Sequence, residues 1–147
     1  MPFSPDADDA TLLREAMRFF EIEQRQLLLK HGALTQNRML ILLLRKGPLS
    51  QSDLVKMMGL EKSWVSRAAD RLATQKWLEK VPNPHDRRGV LLTLTPAGEK
   101  QAVALDTVLE GHSRAVLSRL NPEARVDVMS AMALLRGVLS PQLWPDK

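Results

Sequence analysis

The sequence predicts a mainly α-helical fold with one small β-hairpin, and three observations carry that prediction. Apolar side chains recur at helical spacing in long Gly- and Pro-poor stretches towards both ends of the chain. Between them, two shorter helical patterns are joined through Gly59, the geometry of a helix-turn-helix. Only after Trp77 does the period change to alternation, and it changes back at Thr95-Pro96.

The first helix is expected from about Ala10 to Lys30, with Leu13, Met17, Phe20 and Leu27 on its apolar stripe. His31-Gly32 stops it, glycine being suited to the left-handed closure of a helix end. The second helix follows from Thr35 as N-cap. Its run Met39 to Leu44 is apolar on every side, so this helix is expected to be buried all round. Gly47-Pro48 breaks it. A third start is well marked: Ser50 caps, Asp53 answers at the third helical position, and Leu49 staples against Leu54. That helix ends at Met58, and the next runs from about Glu61 to Gln75 with Val65, Ala68, Ala69 and Leu72 inward.

From Trp77, Leu78 and Val81 alternate with charged residues until Pro82-Asn83-Pro84. A polar tip, His85 to Gly89, precedes the strand formers Val90 to Thr95, which gives a hairpin with a basic tip. Thr95-Pro96 restarts a helix as cap and first-turn proline, with a stripe through Leu105, Val108, Leu109, Val116, Leu117 and Leu120, and Gly111 gives room for a bend. Asn121-Pro122-Glu123 opens the last helix in the same way, with Val128, Met132, Leu135, Val138 and Leu139 on one face and Pro141 as its end.

The 147 residues correspond to one domain, and 44% apolar with 26% charged side chains is a folding composition. Cysteine is absent, which removes disulfides, thiolate nucleophiles and thiol-based sensing. The acidic start MPFSPDADDATLL is unlike a secretory signal, and no apolar stretch approaches the roughly 18 residues of a membrane span. A cytoplasmic protein is expected. Net charge is +4, and its distribution is uneven. Between Lys62 and Arg88 stand seven basic side chains against three acidic ones, whereas the rest of the chain carries fourteen of each. A neutral body with one short basic segment is the footprint of a nucleic-acid reader, although a solvated charged face gives the same count.

Helix, helix, turn, helix and basic hairpin together form a winged helix-turn-helix. In the residues Leu49-Ser50-Gln51-Ser52-Asp53-Leu54, Gly59-Leu60, Val65-Ser66-Arg67, Asp70-Arg71-Leu72, Asp86-Arg87-Arg88 and Leu92-Thr93-Leu94-Thr95-Pro96-Ala97-Gly98, the chain resembles MarR-family regulators. The resemblance implies dimerisation helices at 10–33 and 97–147 around a DNA-binding lobe at 34–96. It also implies a homodimer on one pseudo-palindromic operator, acting as a repressor. Two positions depart from the family pattern. Lys76, followed by Trp77, stands where the family usually has glycine, so the helix end either accepts left-handed geometry at a cost or closes differently. Trp64 stands where the family usually has a small or β-branched residue, and can meet thymine methyls or sugars or fold back onto the domain.

A recognition helix needs short donors near its N-terminal end and longer cations beyond. Ser63, Ser66, Arg67 and Arg71 supply them, with Arg67 expected to read guanine and Arg71 to hold phosphate, pair with Asp70 or read a base. Arg88 resembles the family's wing-tip arginine of the minor groove, Asp86 its orienting partner through a nearby arginine, and Arg87 a phosphate contact. Lys62, Lys80, Ser50 and Gln51 are further phosphate candidates, the last two through helix N-terminal amides. Many relatives hold a small aromatic or phenolic effector between dimer base and winged lobe. Met17, Phe20, Met39, Leu43 and Met57 are the side chains expected to line such a cleft here, against the alternative that they are plain core.

An enzyme is disfavoured, because the sequence has no Gly-rich phosphate loop, nucleophile elbow or metalloprotease helix motif. No cofactor is implied. His31, His85 and His112 lie far apart, which weakens a metal-responsive regulator. A winged-helix module that binds protein is the other alternative, and it has no need of the Arg67, Arg71, Arg87 and Arg88 set.

Overall fold

The computed structural model describes residues 8–139, which form six helices and three strands. In chain order these are α1 (Asp9–Leu29), α2 (Leu34–Lys46), β1 (Leu49–Ser50), α3 (Gln51–Met58), α4 (Lys62–Thr74), β2 (Leu78–Asn83), β3 (Asp86–Leu94), α5 (Pro96–Ser118) and α6 (Pro122–Val138). The mainly helical class and the winged helix-turn-helix are as expected. Several caps are also as read: the side-chain oxygens of Ser50, Thr95 and Asn121 accept from the backbone N–H of Asp53, Gly98 and Ala124. Pro96 and Pro122 occupy the first turns of α5 and α6, and α5 passes through Gly111 without interruption. Pro141, expected to end the last helix, lies outside the described residues.

Three local expectations are corrected. Helix α2 begins at Leu34 with Ala33 as its N-cap and no side-chain cap bond, so Thr35 lies inside the first turn. The α1–α2 junction is held instead by Asn37, 4% exposed, whose amide Nδ2 donates to the Leu28 carbonyl at 3.0 Å. The hairpin tip contracts to Pro84-His85, because β3 already begins at Asp86. There, Asn83 Oδ1 accepts the His85 N–H and Asp86 Oδ1 accepts the Arg88 N–H, each at 2.9 Å, closing the turn through side chains. Finally, the wing is a three-stranded antiparallel sheet in the order β1-β3-β2. Leu49 and Ser50 pair with Leu92 and Leu91, a strand too short for alternation to reveal. Pro82 sits on β2, an edge strand, where a missing N–H is tolerated.

The core is organised on α2, whose Met39, Leu40, Leu42 and Leu43 are all buried, with Ile41 and Leu44 packed at its margin. Around it pack Leu28 of α1, Leu54 of α3, Val65, Ala68, Ala69 and Leu72 of α4, Leu78 and Leu92 of the wing, and Ala102 and Leu105 of α5. The inward face of α4 is therefore fully satisfied, and its opposite face is held rigidly to water. Towards the chain ends burial fails: α6 has no buried side chain, and Leu12, Leu13, Met17, Phe19 and Phe20 of α1 are exposed.

The α4–β2 junction closes in left-handed geometry. Lys76 has φ +63°, its N–H bonds the Ala73 carbonyl, and the Trp77 N–H bonds the Leu72 carbonyl, the two bonds of a glycine-type helix closure. A lysine in this region costs about 1 kcal/mol relative to glycine. Lys76 is exposed, so Lys76→Gly is expected to raise the free energy of unfolding by about that amount in urea titrations. A decrease would show that Lys76 makes a compensating contact.

Candidate nucleic-acid interface

The outward face of α4 carries Lys62, Ser63, Trp64, Arg67 and Arg71, all exposed, and Ser66, half-buried. The turn before it is set by Gly59 at φ +63°, so α3 and α4 meet in the tight angle of a helix-turn-helix. The Arg67 guanidinium lies over the Trp64 ring, 4.9 Å from its centroid. These two side chains and Arg71 border a cleft of about 260 Å³ closed on its other side by Leu34, Thr35 and Gln36 of α2.

On the wing, Lys80, Arg87 and Arg88 are exposed. Asp86 orients Arg88 through the backbone, by accepting its N–H, and no ion pair of the Asp86 carboxylate with an arginine is present among the described residues. The expected bracing of the wing through a guanidinium is replaced by a backbone one. At α3, the Ser50 oxygen accepts from Asp53, which leaves the hydroxyl proton for an incoming acceptor, and Gln51 is half-buried beside it in the first turn.

The electrostatics separate the basic segment from the body. Ion pairs among the described residues join Arg38 to Glu21, Arg45 to Asp106 and Glu110, Arg114 to Glu110, and Arg119 to Glu23, whose carboxylate also hydrogen-bonds His112 Nε2. None involves Lys62, Arg67, Arg71, Lys76, Lys80, Arg87 or Arg88. Seven exposed cations that form no ion pair among the described residues, against three acidic side chains in the same segment, leave a positive excess that attracts a polyanion.

The chain's residues 24–89 match the MarR family model. A 64-residue stretch is 38% identical to the multiple antibiotic resistance protein MarR of Salmonella typhimurium, covering 44% of each chain, so it spans less than half of that relative's length. In this stretch its winged helix-turn-helix is similar to that of the MarR family. The HTH-type transcriptional repressor NicR of Pseudomonas putida is 28% identical over 83 residues, 56% of this chain and 52% of that protein. The solved structure of Bordetella bronchiseptica BpsR superposes with a TM-score of 0.66 at 26% identity, over 92% of this chain and 98% of that one. The fold is thus shared with BpsR, and the matched stretch is similar to MarR-family sequences.

A second feature is a cavity of about 390 Å³ between α1, α2, α3 and α5. Of the five side chains expected to line an effector cleft, Met57 alone borders it. Met39 and Leu43 are core, and Met17 and Phe20 are exposed on α1. The walls are instead Leu28, Leu34, Ile41, Leu42, Met58, Leu60 and Leu109, with Gln24, Thr35, Arg38 and Arg45 as the polar groups. Composition hid Arg38 and Arg45 because each reads as a solvated helix charge. Their significance lies in partners far along the chain, Glu21 and Asp106. No grouping of three His, Cys, Asp or Glu side chains able to hold a metal occurs among the described residues, and none of their helices is long and apolar enough to cross a membrane.

Proposed function

We propose that this chain is a homodimeric repressor that binds a pseudo-palindromic operator through α4 and the wing and is released by a small aromatic or phenolic effector. The observation that carries the DNA-binding part is the set of exposed cations on α4, β2 and β3 that form no ion pair among the described residues. Under this proposal Arg67 reads guanine, Arg88 enters the minor groove, and Lys62, Arg71, Lys80, Arg87, Ser50 and Gln51 hold phosphates. In this reading residues 10–33 and 97–147 supply the dimer base, and 34–96 the reading lobe. The dimer is supported by α6, which has no fully buried side chain among the described residues and leaves Val126, Met129, Met132, Leu134 and Val138 exposed. Exposed apolar faces on both terminal helices are what a second copy would cover.

The effector part is supported by the cavity, which lies in the size range of small-molecule sites, is mainly apolar and has two arginines at its rim. DNA binding by the similar BpsR is regulated by 6-hydroxynicotinic acid. Repression follows the relative NicR, a transcriptional repressor. Selection of bound duplexes from a random DNA pool, followed by sedimentation of the complex, tests the reading. The expected result is a two-fold sequence with half-site centres about 10 bp apart, bound by two chains. Binding by a monomer, or binding indifferent to half-site spacing, would overturn it.

A further inference from the structure

Trp64 occupies an odd place for an indole. It is 56% exposed on the outward face of α4, while the inward face of that helix is already filled by Val65, Ala68, Ala69 and Leu72. Its aromatic surface is occupied by Arg67, three residues on, whose guanidinium lies 4.9 Å from the ring centroid. Among the described residues Arg67 has no ion pair and no hydrogen bond from its guanidinium. The ring is therefore what restrains it.

We infer that Trp64 is a positioning residue, a platform that holds the Arg67 guanidinium ready to read a base. A guanidinium that stacks on a ring uses its face, and its N–H edge stays available to guanine O6 and N7. An arginine free to sample its rotamers loses that freedom when it binds. One already stacked loses less, and the difference appears as affinity and as sharper discrimination. Trp64, Arg67 and Arg71 form a row along one edge of the cleft that they share with Thr35 and Gln36 of α2.

This inference rests on the proposed base-reading role of Arg67, and the test separates the two. Trp64→Ala, Trp64→Phe, Trp64→Leu, Arg67→Ala and the Trp64→Ala/Arg67→Ala double variant are measured at one salt concentration. Two probes are used, the duplex recovered by selection and the same duplex with the Arg67-dependent base pair exchanged in both half-sites. Trp64→Ala is expected to weaken binding to the selected duplex about fivefold to tenfold and to change binding to the exchanged duplex little. Trp64→Phe should recover most of the loss, Trp64→Leu should not, and the double variant should bind like Arg67→Ala alone. Circular-dichroism melting of each variant excludes a folding defect. Equal loss on both duplexes, additivity in the double variant, or rescue by leucine would overturn the platform while leaving base reading by Arg67 in place. If Arg67→Ala itself binds both duplexes like wild type, the base-reading role fails and the platform with it.

Discussion

Gly98→Ala is expected to destabilise the protein by about 3 kcal/mol, at the upper end of the effect of overpacking. A Cβ built at Gly98 lies 1.9 Å from the Trp77 carbonyl oxygen and 2.7 Å from its carbon, distances no atoms can share. Nor can that carbonyl retreat. It accepts the Thr95 N–H at 3.1 Å, the Trp77 N–H is tied to Leu72 at 3.0 Å, and the next residue, Leu78, pairs with Leu94 in the sheet. Helix propensity alone predicts the opposite sign, since alanine is favoured over glycine within a helix by about 1 kcal/mol. Gly111 isolates that smaller effect, because a Cβ there meets nothing within 4 Å among the described residues. Gly111→Ala should therefore gain about 1 kcal/mol, while Gly98→Ala in the same helix loses about three times as much. Urea unfolding of both variants at one protein concentration decides the matter. A Gly98→Ala variant as stable as the parent would mean that the start of α5 is not locked against the end of α4. The close approach also explains why the segment Thr95-Pro96-Ala97-Gly98 reads as it does: cap, helix start, and the one residue small enough to lie on Trp77.

Most of the fold was legible in the sequence because its signals are local. Ser50, Thr95 and Asn121 cap the helices they precede, and Val65, Ala68, Ala69 and Leu72 face inward at the spacing that announced them. What escaped depends on residues distant in sequence. Strand β1 exists only because β3 offers an edge to Leu49 and Ser50. Thr35 looked like a cap, yet the turn preceding α2 is fixed by Asn37 reaching back to Leu28. The same logic governs the sites. The exposed cations could be named because they cluster within one stretch of the sequence, whereas the cavity lining could not, being assembled from α1, α2, α3 and α5. Met39 and Leu43 were candidates by residue type alone, and only three-dimensional burial shows them to be core. The glycine-less helix end illustrates a third case: both geometries open to Lys76 obeyed local rules, and the structure takes the left-handed one because the two backbone bonds to Leu72 and Ala73 require it.

The largest effect on DNA binding is expected from the two arginines assigned to different grooves, and the two should fail differently. Arg88 stands on β3 with its backbone N–H pinned to Asp86 Oδ1, so the direction in which its side chain leaves the wing is fixed before DNA arrives. It carries no internal ion pair among the described residues, so moving it into a narrow minor groove breaks no salt bridge. Arg88→Ala should weaken operator binding by about tenfold or more. It should also make the dependence of log affinity on log salt shallower by about 2, since each of two protomers loses one counterion-releasing contact worth about 0.9. Base preference in the major-groove positions should be unchanged. Arg67→Ala should cost about 1–3 kcal/mol for each half-site and, unlike Arg88→Ala, relax the choice of base pair at one position in each. Titrations at several salt concentrations, on the selected duplex and on single-base-pair variants of it, separate the two signatures. If both variants bound like the parent, the reading surface would not be α4 and the wing. If they weakened binding but exchanged signatures, the helix would be gripping backbone and the wing choosing sequence. The physical basis for the expected order is reach: a helix side chain anchored on a filled core presents its donors in one register, whereas a side chain on a hairpin strand follows groove width and charge.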